Sequence, residues 1–152
     1  MDQLDYDIIS HLRGDGRKPF TEIAESLDVS EGTIRNRVSK LIEDNVIQIV
    51  GLADPYKLGQ DAPAMIGITV RPQIMEEVAA QLVLHKEVSY LVAVSGEFDL
   101  LVEVMCKDRN HLNFFLNETV RKINGVTSTK TFFILHTYKM AYGAVPEIAP
   151  NE

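Results

Sequence analysis

Residues 21–41 read TEIAESLDVSEGTIRNRVSKL, and their spacing predicts a helix, a tight turn and a second helix. Ile23, Ala24 and Leu27 share the inner side of a short helix from about Thr21 to Leu27. Ala24 is small where two helices pass closely, and Asp28 and Val29 form the turn. Ser30 is a good N-cap for the next helix, because its hydroxyl accepts from backbone N–H groups that lack helical partners. That helix carries Ile34, Val38, Leu41 and Ile42 on its buried face. Ser30, Glu31, Thr33, Arg35, Asn36, Arg37 and Lys40 are then left for solvent or a partner. Arginine can bind guanine bidentately, asparagine can do the same for adenine, and hydroxyls at a helix start can hold phosphates. Three cations alone fit a solvated helix face better. Joined to the tight turn and to an oligomerising second half, they favour double-stranded DNA as the partner.

Upstream, Leu4, Ile8, Ile9 and Leu12 make a helical stripe that stops at Gly14 and the Asp15–Gly16 turn. Downstream, Asn45 can end the third helix in a left-handed conformation, and VIQIVGL (46–52) reads as a short strand. Residues 1–52 are therefore expected to be one DNA-binding domain. ADPYKLGQDAP (53–63) has the prolines, glycine and aspartates of a linker or hinge.

The second half, 64–140, changes character. AMIGITV (64–70) is a strand, and Arg71–Pro72 ends it and opens a helix bearing Ile74, Val78 and Leu82. VSYLVAVS (88–95) and LLVEVMC (100–106) are strands joined across Gly96–Asp99. Asp108 N-caps a helix carrying Leu112, Phe115, Leu116 and Ile123, with Gly125 past its end. A last strand runs roughly from Val126 to Tyr138. The order βαββαβ predicts an α+β fold: a four-stranded antiparallel, ferredoxin-like sheet with two helices on one face. The other face needs cover, which a second copy of the chain would supply. VPEIAPNE (145–152) closes an expected mobile tail over 141–152.

The 152-residue chain is 45% hydrophobic and 24% charged, the balance of an ordinary globular protein. No apolar run approaches the length of a membrane span, and the acidic start MDQLDYDII is unlike a signal peptide. A cytoplasmic protein with no membrane partner is expected. A net charge of −7 argues against non-specific coating or wrapping of nucleic acid, which needs clustered cations. It is compatible with a small positive surface on a repelling body. Cys106, the single cysteine, lies in an alternating run and reads as a packed hydrophobe. His11, His85, His111 and His136 are scattered, with no catalytic or metal spacing. No cofactor or metal is expected.

Five segments in order carry a resemblance: LDYDIISHLRGDGR (4–17), TEIAESLDVSEGTIRNRVSKLIEDNVI (21–47), DPYKLG (54–59), SGEFDLLVEV (95–104) and NGVTSTKTF (124–132). Together they resemble the Lrp/AsnC (leucine-responsive/asparagine, "feast/famine") transcription regulators over essentially the whole chain. Asp28 departs from the pattern, which usually has glycine there; aspartate tolerates a left-handed backbone, so little strain is implied. The resemblance implies a winged helix-turn-helix joined to a ferredoxin-like, RAM-type ligand-sensing domain. It further implies homodimers assembling to tetramers or octamers, pseudo-palindromic operators, and a small effector, usually an amino acid, bound near the β2–β3 turn. Carried over, the effector residues are Gly96, Glu97, Phe98 and Asp99, completed by Asp108, Thr127 and Thr129. Glycine leaves N–H groups approachable for a carboxylate, and Glu97, Asp99 and Asp108 can accept from an ammonium. The plainer reading stays open: Gly96 only turns, Phe98 only packs and Asp108 only caps. Siroheme-pathway decarboxylases resemble the same two-domain scaffold, so an enzyme is the alternative reading.

Overall fold

Asp2 starts the first helix by a reciprocal cap: its carboxylate accepts from the Asp5 N–H at 3.1 Å, and the Asp5 carboxylate accepts from the Asp2 N–H at 2.9 Å. The computed structural model describes residues 1–138, which form two units, Met1–Leu52 and Ala53–Tyr138. The expected tail over 141–152 lies outside the described residues.

The first unit comprises α1 (Gln3–Gly14), α2 (Phe20–Leu27) and α3 (Glu31–Glu43). Ile8, Leu12, Ile23, Ala24, Ile34, Val38 and Leu41 form its core. Asp28 ends α2 at φ 53°, and the Val29 N–H returns to the Ala24 carbonyl at 3.1 Å while Val29 packs on the core. Asn45 repeats the device after α3 at φ 55°, with the Val46 N–H on the Leu41 carbonyl at 2.8 Å. Two expectations change here. Ile42 is 43% exposed rather than buried, because Leu41 already takes that turn's inward position. Residues 46–52 form no strand among the described residues, because residues 1–52 offer no second extended segment to pair with.

The second unit is a sheet of order β2-β3-β1-β4 with every pair antiparallel. Its elements are β1 (Ala62–Val70), α4 (Met75–Leu82), β2 (Val88–Ala93), β3 (Leu100–Cys106), α5 (Arg109–Phe114) and β4 (Val126–Phe133). β1 begins at Ala62, inside the expected linker, since Ala62 pairs with Cys106 and the Asp61 N–H reaches the Lys107 carbonyl at 3.1 Å. β4 stops at Phe133 instead of Tyr138: Ala64 is the last β1 partner, and beyond it only the Ile134 N–H finds the Pro63 carbonyl. α5 runs on through one widened turn (Phe115–Thr119) and a tight one (Val120–Lys122).

Alternation divides the sheet into two faces. Ala64, Ile66 and Ile68 of β1 and Val102 and Val104 of β3 are fully buried with Val78, Leu82 and Val120 from the helical segments. The opposite face carries Met65, Leu101, Met105, Phe132, Tyr90 and Val92 by register, with Tyr90 43% and Phe132 45% exposed.

Candidate nucleic-acid interface and effector turn

α3 is held from inside by Ile34, Val38 and Leu41, which fixes what it presents outward. Ser30 caps it, its Oγ accepting from the Thr33 N–H at 3.1 Å and lying 2.8 Å from Thr33 Oγ1. Arg35, Asn36 and Lys40 are exposed; Glu31, Thr33 and Arg37 are half-buried. Arg35 donates from Nη2 to Glu31 Oε1 at 2.5 Å, and its guanidinium lies 5.7 Å from the centre of the Phe20 ring. Glu31 also borders a shallow groove with Thr21, Ala24, Glu25, Asp28 and Val29, so one flank of the α3 start is acidic.

Arg37 is placed differently from its neighbours. Its Nη1 donates to Asp2 Oδ2 at 2.7 Å and to Asp5 Oδ1 at 3.1 Å, tying α3 to the start of α1. The hydrogen bond from Arg37 and that from the Asp5 N–H hold the Asp2 carboxyl below its ordinary value, and the same carboxylates raise the guanidinium further. Sequence reasoning counted Arg37 among the cations left for a partner, whereas it is engaged within its own unit. The Asp2–Asp5 capping pair was the available signal, but nothing local connects it to residue 37.

At the β2–β3 connection, Gly96 has φ 140°, with open space where a side chain would stand. Asp99 makes three hydrogen bonds within the chain itself. Its N–H donates to the Ile68 carbonyl at 3.0 Å, its carbonyl accepts from Val94 at 2.9 Å, and its Oδ2 accepts from the Val70 N–H at 2.8 Å. Phe98 lies over Gly67, where a Cβ would come within 2.6 Å of the ring, and meets Phe132 edge-on at 6.3 Å. Glu97 is 3.4 Å from Lys130. Thr127 Oγ1 donates to the Thr69 carbonyl at 2.9 Å, and Thr129 Oγ1 accepts from Arg121 Nε at 3.0 Å. Ile68 pairs with both Leu100 and Thr129, so Gly96–Asp99, Thr127 and Thr129 share one end of the sheet.

Asp108 does not join them within one chain. β3 carries it to the opposite end, beside Ala62, about 20 Å from the turn at ~3.4 Å per residue. There its Oδ1 accepts from the His111 N–H at 2.8 Å as the cap of α5. Arg121, bonded to Thr129 and at 2.6 Å to Asn117, brings a guanidinium to the turn's end of the sheet that sequence reasoning missed.

The histidines are occupied singly. His11 lies 3.0 Å from both Lys18 Nζ and Ser26 Oγ. His111 lies 3.2 Å from Glu87, and His85 meets Phe115 edge-on at 5.5 Å. Among the described residues no group of three or more His, Cys, Asp or Glu is placed to hold a metal, and no helix is long and apolar enough to cross a membrane. Burial, then Glu87 and Asp108, pushes the Cys106 thiol up to about 11.

The comparisons with known proteins agree with this architecture. The winged helix-turn-helix DNA-binding family matches residues 1–48, and the Lrp/AsnC ligand binding domain matches residues 63–144. An HTH-type transcriptional regulator of Pyrococcus furiosus is 35% identical over 146 residues, covering 95% of this chain and 99% of that protein. The HTH-type transcriptional regulator Ptr1 of Methanocaldococcus jannaschii is 34% identical over 140 residues, covering 91% of this chain and 95% of its own length. E. coli AsnC superposes with a TM-score of 0.81 at 28% identity, over 92% of this chain and 95% of that one. A transcriptional regulator from Neisseria meningitidis, solved as its L-Met complex, has the same fold, with a TM-score of 0.83 at 24% identity over 97% of each chain. By fold and by relatives, this chain belongs to the Lrp/AsnC family: a DNA-binding transcription regulator with a ligand-binding domain.

Proposed function

We propose that α3 reads a pseudo-palindromic operator through its exposed face, and that an amino-acid effector changes the regulator's assembly or DNA affinity. The observation that carries this is the division of α3 into a buried side of Ile34, Val38 and Leu41 and an outward side bearing Arg35, Asn36 and Lys40. Arg35 and Asn36 are the base readers, Lys40 and the Ser30–Thr33 hydroxyl pair serve phosphates, and Arg37 acts chiefly by orienting the helix. The apolar open sheet face supports homodimerisation, and paired α3 helices call for two half-sites one DNA turn apart or a multiple of it. Dimers associate further to tetramers or octamers on this reading, and the protein works in the cytoplasm.

The effector site is centred on Gly96–Asp99 with Thr127 and Thr129. The open backbone at Gly96 supports capture of a carboxylate, and the L-Met complex of a protein with the same fold supports the ligand class. The effector acts by binding two assembly states unequally, since equal binding would shift nothing.

The test selects duplexes from a random-sequence pool with the full-length protein, then titrates the winner by gel shift with each amino acid present. Expected are an enriched two-fold-symmetric sequence and at least one amino acid that changes affinity or assembly about fivefold or more. Enrichment of no sequence would overturn the operator reading. Indifference of both affinity and oligomer size to every amino acid would overturn the effector reading alone.

A further inference from the structure

Glu31 is an odd residue to find on a face that meets DNA. It stands in the first turn of α3, 43% exposed at its side chain, where its carboxylate faces the same anionic partner that Arg35 attracts. A favourable interaction with the helix N-terminus accounts for an acidic residue there but not for its partner. Its Oε1 takes an Arg35 Nη2 hydrogen at 2.5 Å, while the Phe20 ring, packed on the core of the first unit, lies 5.7 Å from the same guanidinium. One group thus fixes the edge of the guanidinium and the other its face, from two different helices. Exposed ion pairs of this kind add little to stability, and the Arg35 side chain is 62% exposed. What the pair does supply is order in a long side chain before any ligand arrives. Arginine has five N–H donors, and with one Nη2 hydrogen on Glu31 the other still pairs with a neighbouring N–H, of Nη1 or of Nε, for guanine O6 and N7.

We infer that Glu31 is a positioning residue for sequence discrimination: it sacrifices general affinity for DNA in order to hold Arg35, with Phe20, in the one orientation that reads guanine. This rests on the reading of α3 as the DNA-contacting helix. The two effects of removing the carboxylate then have opposite signs. Without Glu31 the face loses a negative charge, so any duplex binds more tightly. Arg35 becomes free to swing between bases and phosphates, so the preferred duplex gains less than a scrambled one.

The experiment uses the full chain and two probes: the duplex enriched from a random pool by the wild-type protein, and its scrambled counterpart. Glu31→Gln, Arg35→Ala and the double variant are each titrated, with thermal melting run alongside to establish that all three fold. Glu31→Gln is expected to tighten the scrambled duplex about two- to threefold and the selected duplex hardly at all, so that the preference for the selected duplex falls about twofold. In the Arg35→Ala background the same substitution should leave preference unchanged, because Glu31 acts through Arg35. An undiminished preference in Glu31→Gln, or an equal loss with and without Arg35, overturns the positioning role while the DNA-contacting role of α3 stands. Wild-type behaviour of Arg35→Ala on both probes instead removes α3 from the interface, and the inference with it.

Discussion

Arg37 of α3 donates to Asp5 of α1 at 3.1 Å across 32 residues of chain, and the same Nη1 reaches Asp2 at 2.7 Å. Asp5 is the only charged residue among the buried described positions, 7% exposed, so the ion pair has one buried end and one wet end. The clamp sets the start of α1 against the middle of α3. It explains why Arg37, a cation on the outward half of α3, is turned toward α1.

Breaking the buried end should be felt. Asp5→Ala leaves the Asp2 N–H without its cap and Arg37 with one acceptor, and is expected to lower stability by about 1–3 kcal/mol in urea unfolding. Arg37→Ala should shift the midpoint in the same direction, and the double variant should fall short of the sum. Additive losses would mean that the two residues do not act as a pair.

The clamp also fixes a pH dependence. Arg37, and then the Asp5 N–H, hold the Asp2 carboxyl below its ordinary 3.8 in the folded chain. A depressed folded-state value stabilises above the unfolded value and is lost as pH falls through the folded one. The stability gap between wild type and Arg37→Ala should therefore be level near neutrality and close below about pH 4. A gap that widens in acid would contradict the assignment.

At the α2–α3 turn, Asp28 adopts φ 53°, a region that costs an ordinary L-residue about 1–2 kcal/mol. Asp28→Gly is expected to be neutral or stabilising by up to about 1 kcal/mol, part of the relief being offset by the freer unfolded chain. Asp28→Val should be destabilising, and equal midpoints for the two variants would sink the argument.

On the open sheet face, Phe98 can lie flat on the strand only because residue 67 has no side chain. Gly67→Ala must lift the ring and should lower stability by about 1–3 kcal/mol. Phe132→Lys places a charge on the face proposed for dimerisation and is expected to leave monomers at micromolar concentration, read by light scattering after gel filtration. Assembly unaffected by Phe132→Lys would move the dimer contact elsewhere.

Cys106 offers a chemical readout of the second unit's core. With its thiol pushed up to about 11 from 9.0, the thiolate fraction near pH 8 falls about a hundredfold, before any steric protection. Iodoacetamide labelling should be correspondingly slow in the folded chain and fast in urea. Rapid labelling of the native protein would show that the β3 end opens readily.

Much of the fold was legible because its signals are local. Ile34, Val38 and Leu41 recur at helical spacing, and Leu100–Cys106 alternates. Asp28 and Asn45 sit where a helix must reverse, and Ser30 and Asp108 cap by bonding three residues ahead. The site was legible only as a set of residue types. Asp108 was grouped with the Gly96 turn, yet the antiparallel run of β3 sends it to the other end of the sheet. Residues 46–52 have strand composition, but composition supplies no partner.

Order along the chain therefore settled the helices, their caps and most of the strands, since those choices depend on near neighbours, but not where β1 begins, where β4 ends or whether residues 46–52 pair. The Arg37–Asp2 contact spans 35 residues, and the Phe98 ring over Gly67 joins the β2–β3 connection to β1. Only tertiary structure decided which charges are spent inside the molecule and which face outward. A side chain's partner is set by what folding brings beside it, and no periodicity in the sequence encodes that distance.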